Sequence, residues 1–233
     1  MKRNRWLIAL SAVGIHICIG SVYAWSVLTK PVMAAMGLSL GQTTWAFSIA
    51  ILFLGLSAGF LGGFVERMGP SRSGLLSACF FALGMLGTGY AISVKSTPLL
   101  YLFYGFIGGI GLGTGYITPV STLVKWFPRH RGFATGMAIM VFGFAALIAG
   151  PAMQHLTAAY GLVNNFLIMG CVYFVIMCAS TSYLRPPRKG EIKQSLEDVL
   201  KEEAARGNKR TILGPQMTRR EALHTWKFYA LWW

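Results

Sequence analysis

Six stretches of this chain, near residues 6–29, 43–64, 73–94, 99–123, 132–152 and 161–184, are continuously apolar. Each matches the roughly 20 residues an α-helix needs to cross about 30 Å of hydrocarbon, where a helix can satisfy its own backbone hydrogen bonds. The first stretch outlasts the apolar core of a signal peptide, and the tyrosine, tryptophan and Lys30-Pro31 that follow do not resemble a cleavage site. It reads as a retained span. A seventh apolar segment starts around Trp226 and stops at Trp233, too short to cross. The expected organisation is all-α and integral to the lipid bilayer. A six-helix bundle covers 1–184, a cytoplasmic connector covers 185–223, and 224–233 starts a truncated seventh helix of a longer protein.

Composition agrees: the chain is 55% hydrophobic, only 12% charged, and holds 28 glycines, which membrane helices tolerate better than soluble ones. A net charge of +14 in a soluble domain would suggest nucleic acid, so the placement of the charges decides. With a cytoplasmic N-terminus, all but Lys30 and Lys95 of the 21 lysines and arginines lie on the inner side. That bias sets the topology and accounts for the charge without a nucleic-acid partner. Cys18, Cys79, Cys171 and Cys178 sit inside apolar runs without CxxC or Cys/His spacing. They read as small packing residues, with no disulfide, metal or cofactor implied. No nucleophile, base and orienting group occur together, which excludes an enzyme.

The connector opens with RPPRKG, and Ile192, Leu196, Val199 and Leu200 then recur at helical spacing, with Gly207 as a stop. An amphipathic helix against the cytoplasmic face is expected there, a regulatory or lipid-binding role being the alternative. Thr218 with Glu221 can form a capping box before the seventh segment.

Between the second and third runs the chain reads GGFVERMGPSRS. This resembles the signature loop of the major facilitator superfamily, carried here by Gly62, Glu66, Arg67, Gly69 and Arg72. It departs in Glu66, where aspartate is usual, and in Pro70 and Ser71, where a basic pair is common. Gly62 allows close helix approach, Gly69 a tight turn, and the charges an ion-pair network at the cytoplasmic mouth. The alternative is a short loop whose arginines merely follow the charge bias. Read together, GSVYAWS, GGIGLGTGYITPVS, KWFPRHRG and TRREALHTWKFYALWW resemble the oxalate/formate antiporter family over residues 1 to 233. The resemblance implies twelve helices in two six-helix bundles, alternating access by rocking, and transport of small organic anions such as oxalate, formate, lactate or pyruvate, through exchange. The chain would then be the N-terminal bundle. Its partner would be a C-terminal bundle of the same protein, which supplies the basic residues that pair with substrate.

At 100° per residue, His16, Gly20, Tyr23 and Val27 share one stripe of the first run, while Ser21 and Trp25 lie opposite. In the fourth, Gly105, Gly109 and Gly113 form a small-residue ridge, Tyr116 stacks over Gly109, and Pro119 loosens the helix beyond. Members of the resembled family enclose a small carboxylate with aromatic residues, which carries to Tyr23 and Tyr116. A phenol donates a hydrogen bond without bringing fixed charge into low dielectric. Helix packing is the alternative for both. Trp25 is included in the same path, with inter-helix or lipid packing as its alternative. His16, the one ionisable side chain deep in a span, is a pathway or proton-linked candidate, or a neutral packing group. All seven acids lie in cytoplasmic segments. Gly55, Gly59 and Gly63 suggest a close contact of the second helix. A remnant that senses or scaffolds without transporting is the second reading of the whole.

Overall fold

The computed structural model describes residues 4–187 and 225–226. The predicted connector helix and the capping box at Thr218 therefore lie outside the described residues. Among the described residues all regular structure is helical. Six helices are long and apolar enough to span a membrane: α1 Arg5–Met36, α2 Leu40–Met68, α3 Pro70–Ser93, α4 Thr97–Trp126, α5 Arg131–Tyr160 and α6 Leu162–Tyr183.

Local chemistry sets their ends. The Asn4 side chain caps α1 by accepting from the Trp6 amide at 2.9 Å. Ser39 and Gln42 form a reciprocal capping box at the start of α2, which satisfies two amide donors that the first turn cannot use. Gly69 adopts φ 83°, a conformation costly for any side chain, and Pro70 follows at the first position of α3, where its missing N–H costs nothing.

Two helices outrun their apolar stretches. α1 continues through Pro31 to Met36, where the Gly37 amide donates to the Met33 carbonyl at 2.9 Å. α5 continues through Pro151 to Tyr160. A proline removes one internal hydrogen bond, and the flanking turns carry the helix on.

Two helices also depart from α geometry. α1 contains a 3₁₀ turn at Ser21–Ala24, and α4 contains a π-helical stretch at Tyr101–Ile107. A 3₁₀ turn advances about 20° more per residue than an α-helix, or about 80° over four residues. The part of α1 beyond Ala24 is therefore rotated from the face a straight helical wheel assigns it.

α1, α3 and α4 form the interior, and α2, α5 and α6 lie outside them. α3 packs on α4 and α6, α2 packs on α4, and α1 touches α4, α5 and α6. The ridge of α4 meets α2 closely. A Cβ on Gly109 would stand 2.6 Å from the Phe53 Cβ and 2.9 Å from the Ala50 carbonyl. On the other side of α4, Ser77 of α3 donates to the Gly111 carbonyl at 2.7 Å. Close backbone approach and inter-helix hydrogen bonds of this kind replace the hydrophobic drive that is missing between helices in lipid.

The ridge at Gly55, Gly59 and Gly63 differs from expectation: a Cβ on any of them would meet nothing within 4 Å. α2 has two small-residue faces, and Ala46, Ala50 and Ser57 are the buried one. Cys79 and Cys171 are likewise exposed rather than packed, whereas Cys18 is buried. The outer faces carry Leu52, Phe144, Leu147, Ile148 and Val175, all exposed. Water would not tolerate so much contiguous apolar surface; a bilayer matches it.

Candidate functional site

His16, Tyr23 and Tyr116 come together, and the ring that joins them is Phe142 of α5. The Phe142 centroid lies 5.2 Å from that of Tyr23, 5.2 Å from Tyr116 and 6.1 Å from His16. His16 and Tyr116 are themselves 5.8 Å apart. All four contacts are edge-to-face, the arrangement ring quadrupoles favour. Gly20 makes the meeting possible, because a Cβ there would stand only 2.7 Å from the Ala145 Cβ and would press on the Phe142 carbonyl oxygen.

Exposure divides the cluster into a base and a rim. His16 is fully buried and Phe142 nearly so, while Tyr23 is 43% exposed and Tyr116 is half-buried. The His16 Nδ1 lies 3.0 Å from the Ala12 carbonyl. A carbonyl only accepts, so Nδ1 carries the proton and Nε2 is left as an acceptor. Nε2 has no hydrogen-bond partner among the described residues. The cluster thus offers the open side of α1 one well-exposed phenol and a second, half-buried one, over a buried base with one unused acceptor.

Trp25 does not join this cluster. It is buried, with its ring 4.1 Å from that of Tyr104. Ser21 is also buried, and its hydroxyl donates to the Cys18 carbonyl at 2.6 Å. Both lie on the face of α1 opposite Tyr23, as steps of about 100° place them.

Sequence reasoning missed Phe142. The signal was present: the buried face of α5 is Ala134, Ala138, Phe142, Ala145, Ala149 and Met153, an alanine stripe interrupted by one ring. The motif GFAALIAGP begins just after it and gives no hint of the contact.

At the predicted loop, Gly62 lies under Ile117 of α4, 3.1 Å from where its Cβ would be, and Gly69 makes the turn. The ion pair described there joins Glu66 to Lys125 at the end of α4, at 3.0 Å and well exposed. Arg67 and Arg72 are exposed. Nearby, the Trp126 indole donates to the Arg185 carbonyl at 2.8 Å. Among the described residues no group of three His, Cys, Asp or Glu could hold a metal ion.

A family model described as Major Facilitator Superfamily matches residues 8–233. The uncharacterized MFS-type transporter YhjX of Escherichia coli is 27% identical over 83% of this chain and 48% of its own length. Human monocarboxylate transporter 14 is 27% identical over 80% of this chain and 36% of its own length. The oxalate:formate antiporter of Oxalobacter formigenes is 28% identical over 82% and 45%. The chain thus spans about half or less of these relatives. The inward-open xylose transporter XylE of E. coli superposes with a TM-score of 0.67 at 16% identity, covering 92% of this chain and 58% of that one.

Proposed function

The chain belongs to the Major Facilitator Superfamily, and from that premise we propose that it is the N-terminal bundle of a carrier exchanging small carboxylates by alternating access. Family and fold are those of transporters, not enzymes. The observation that carries the substrate class is the ring cluster of Tyr23, Tyr116, His16 and Phe142. Two phenols over the buried rings of His16 and Phe142 can donate to carboxylate oxygens in low dielectric without a fixed charge of their own. Relatives named for oxalate and formate and for monocarboxylates support the same class. In this reading Trp25, buried against Tyr104, stands behind the path rather than on it.

A second bundle of the same protein would supply the cationic groups that an anion needs and the other wall of the path. The Gly62, Glu66, Arg67, Gly69 and Arg72 segment would act as the conformational loop, with Glu66 and Lys125 parting or closing as α2 and α4 move. The lysine and arginine bias supports a cytoplasmic N-terminus, and the membrane crossed would be the cell's inner, or plasma, membrane.

The test is uptake by the full-length protein in proteoliposomes. Labelled small mono- and dicarboxylates should enter and a neutral pentose should not. Internal carboxylate should accelerate external uptake. Pentose uptake without carboxylate uptake would overturn the substrate class, and absence of acceleration would replace exchange by uniport or proton coupling.

A further inference from the structure

The two irregular segments of the bundle meet at one contact. Trp25 is the first residue after the 3₁₀ turn of α1, and Tyr104 is the middle residue of the π-helical stretch of α4. Their rings lie 4.1 Å apart with 34° between planes, both buried. Mid-helix 3₁₀ and π segments recur at functional sites because they re-aim side chains and leave the helix a second, more regular geometry. Here an overwound turn faces an underwound one, and the side chain that the overwound turn aims is Tyr23.

The Tyr104 side of the contact is braced. Next to it, a Cβ on Gly105 would come within 2.7 Å of Ile49 of α2, and a Cβ on Gly84 within 2.7 Å of the Gly108 backbone. Phe166 of α6 stands behind the Tyr104 ring at 6.5 Å. The Trp25 side is held differently. Its indole Nε1 has no hydrogen-bond partner among the described residues, so ring stacking rather than a polar anchor fixes it. A void of about 10 Å³, lined by Ser21, Leu28, Tyr104 and Phe166 among others, lies beside the stack.

We propose that Trp25 and Tyr104 are positioning residues, whose stack holds the overwound turn of α1 and thereby fixes Tyr23 toward the substrate path. Relaxing that turn to α geometry would rotate Tyr23 by roughly 60° about the helix axis, at about 20° for each of three residues. The Tyr23 edge contact with Phe142 could not survive such a rotation. The inference rests on the reading of Tyr23 as a carboxylate contact, and its test separates the two.

In full-length protein freed of native cysteines, Tyr23→Cys is alkylated by a water-soluble thiol reagent, and the rate is compared with and without the stack. Tyr104→Leu or Trp25→Leu should change that rate by about five-fold, the range one aromatic pair supports, while Tyr104→Phe and Trp25→Phe stay within about two-fold. With Tyr23 intact, the leucine variants should raise the KM for labelled carboxylate by about ten-fold, with a smaller change in maximal rate. Where a leucine variant does not fold, Trp25→Tyr gives a graded version with less ring overlap. An alkylation rate that is the same with and without the stack overturns the proposal, whatever transport does. A changed rate in a protein that moves no carboxylate upholds the positioning role and sinks the carboxylate reading instead.

Discussion

Adding one methyl group at Gly20 should loosen the bundle at the point where α1 and α5 touch. A Cβ there would stand 2.7 Å from the Ala145 Cβ and 3.0 Å from the Phe142 carbonyl carbon. Carbon atoms rest at about 3.5–4.0 Å, so the shortfall is roughly 1 Å. Both obstacles are stiff: one is backbone and the other an alanine Cβ, so no side-chain rotation relieves them. The helices must separate. Overpacking of this kind costs about 1–3 kcal/mol. Replacing glycine by alanine inside a helix returns up to about 1 kcal/mol of propensity, which leaves a net loss of up to roughly 2 kcal/mol. At about 2–4 °C per kcal/mol for a chain of this size, Gly20→Ala should melt up to about 8 °C below the parent. Gly59→Ala is the control, because nothing lies within 4 Å of a Cβ there, and it should melt at or slightly above the parent. Thermal unfolding of the purified protein, followed by loss of the monodisperse peak, reads the difference. Equal melting of the two variants would refute the α1–α5 spacing and with it the placement of Phe142.

Two further outcomes are expected. Reversing one charge of the Glu66–Lys125 pair should slow exchange, and reversing both together should largely restore it, while melting shifts by under about 1 kcal/mol because the pair is exposed; unaltered exchange in both single variants would remove the pair from the mechanism. Ser77→Ala should cost about 0.5–1.5 kcal/mol of stability through the lost bond to the Gly111 carbonyl, measured by the same melting assay.

Hydrophobic length alone was enough to count the spans, because a bilayer allows a helix few other solutions. The ridge at Gly105, Gly109 and Gly113 was legible for a related reason: spaced glycines have little use inside a helix except close approach, and α2 makes it. The same rule misled at Gly55, Gly59 and Gly63, where spacing fixes which residues share a face but not which face is buried. The wheel served for Trp25: steps of about 100° set it opposite His16, and it is buried against Tyr104, away from the ring cluster. The 3₁₀ turn at Ser21–Ala24 shows a second limit, because no residue type in GSVYAWS announces it. Phe142 shows a third. A phenylalanine in an apolar run is ordinary, and only its place in an alanine stripe sets it apart.

The most direct test of the account is the affinity of the full-length carrier for a labelled small carboxylate after Tyr23→Phe, which removes one hydroxyl and keeps the ring against Phe142. A hydrogen bond to a charged group contributes about 1.5–3 kcal/mol, so half-saturation should rise by about 10- to 150-fold with protein yield and melting unchanged. Tyr90→Phe, on an exposed face of α3, should leave it within about two-fold, well under the effect of one such bond. If Tyr23→Phe and Tyr90→Phe both transport with the parent's half-saturation, the ring cluster on α1, α4 and α5 is packing, and the substrate binds elsewhere.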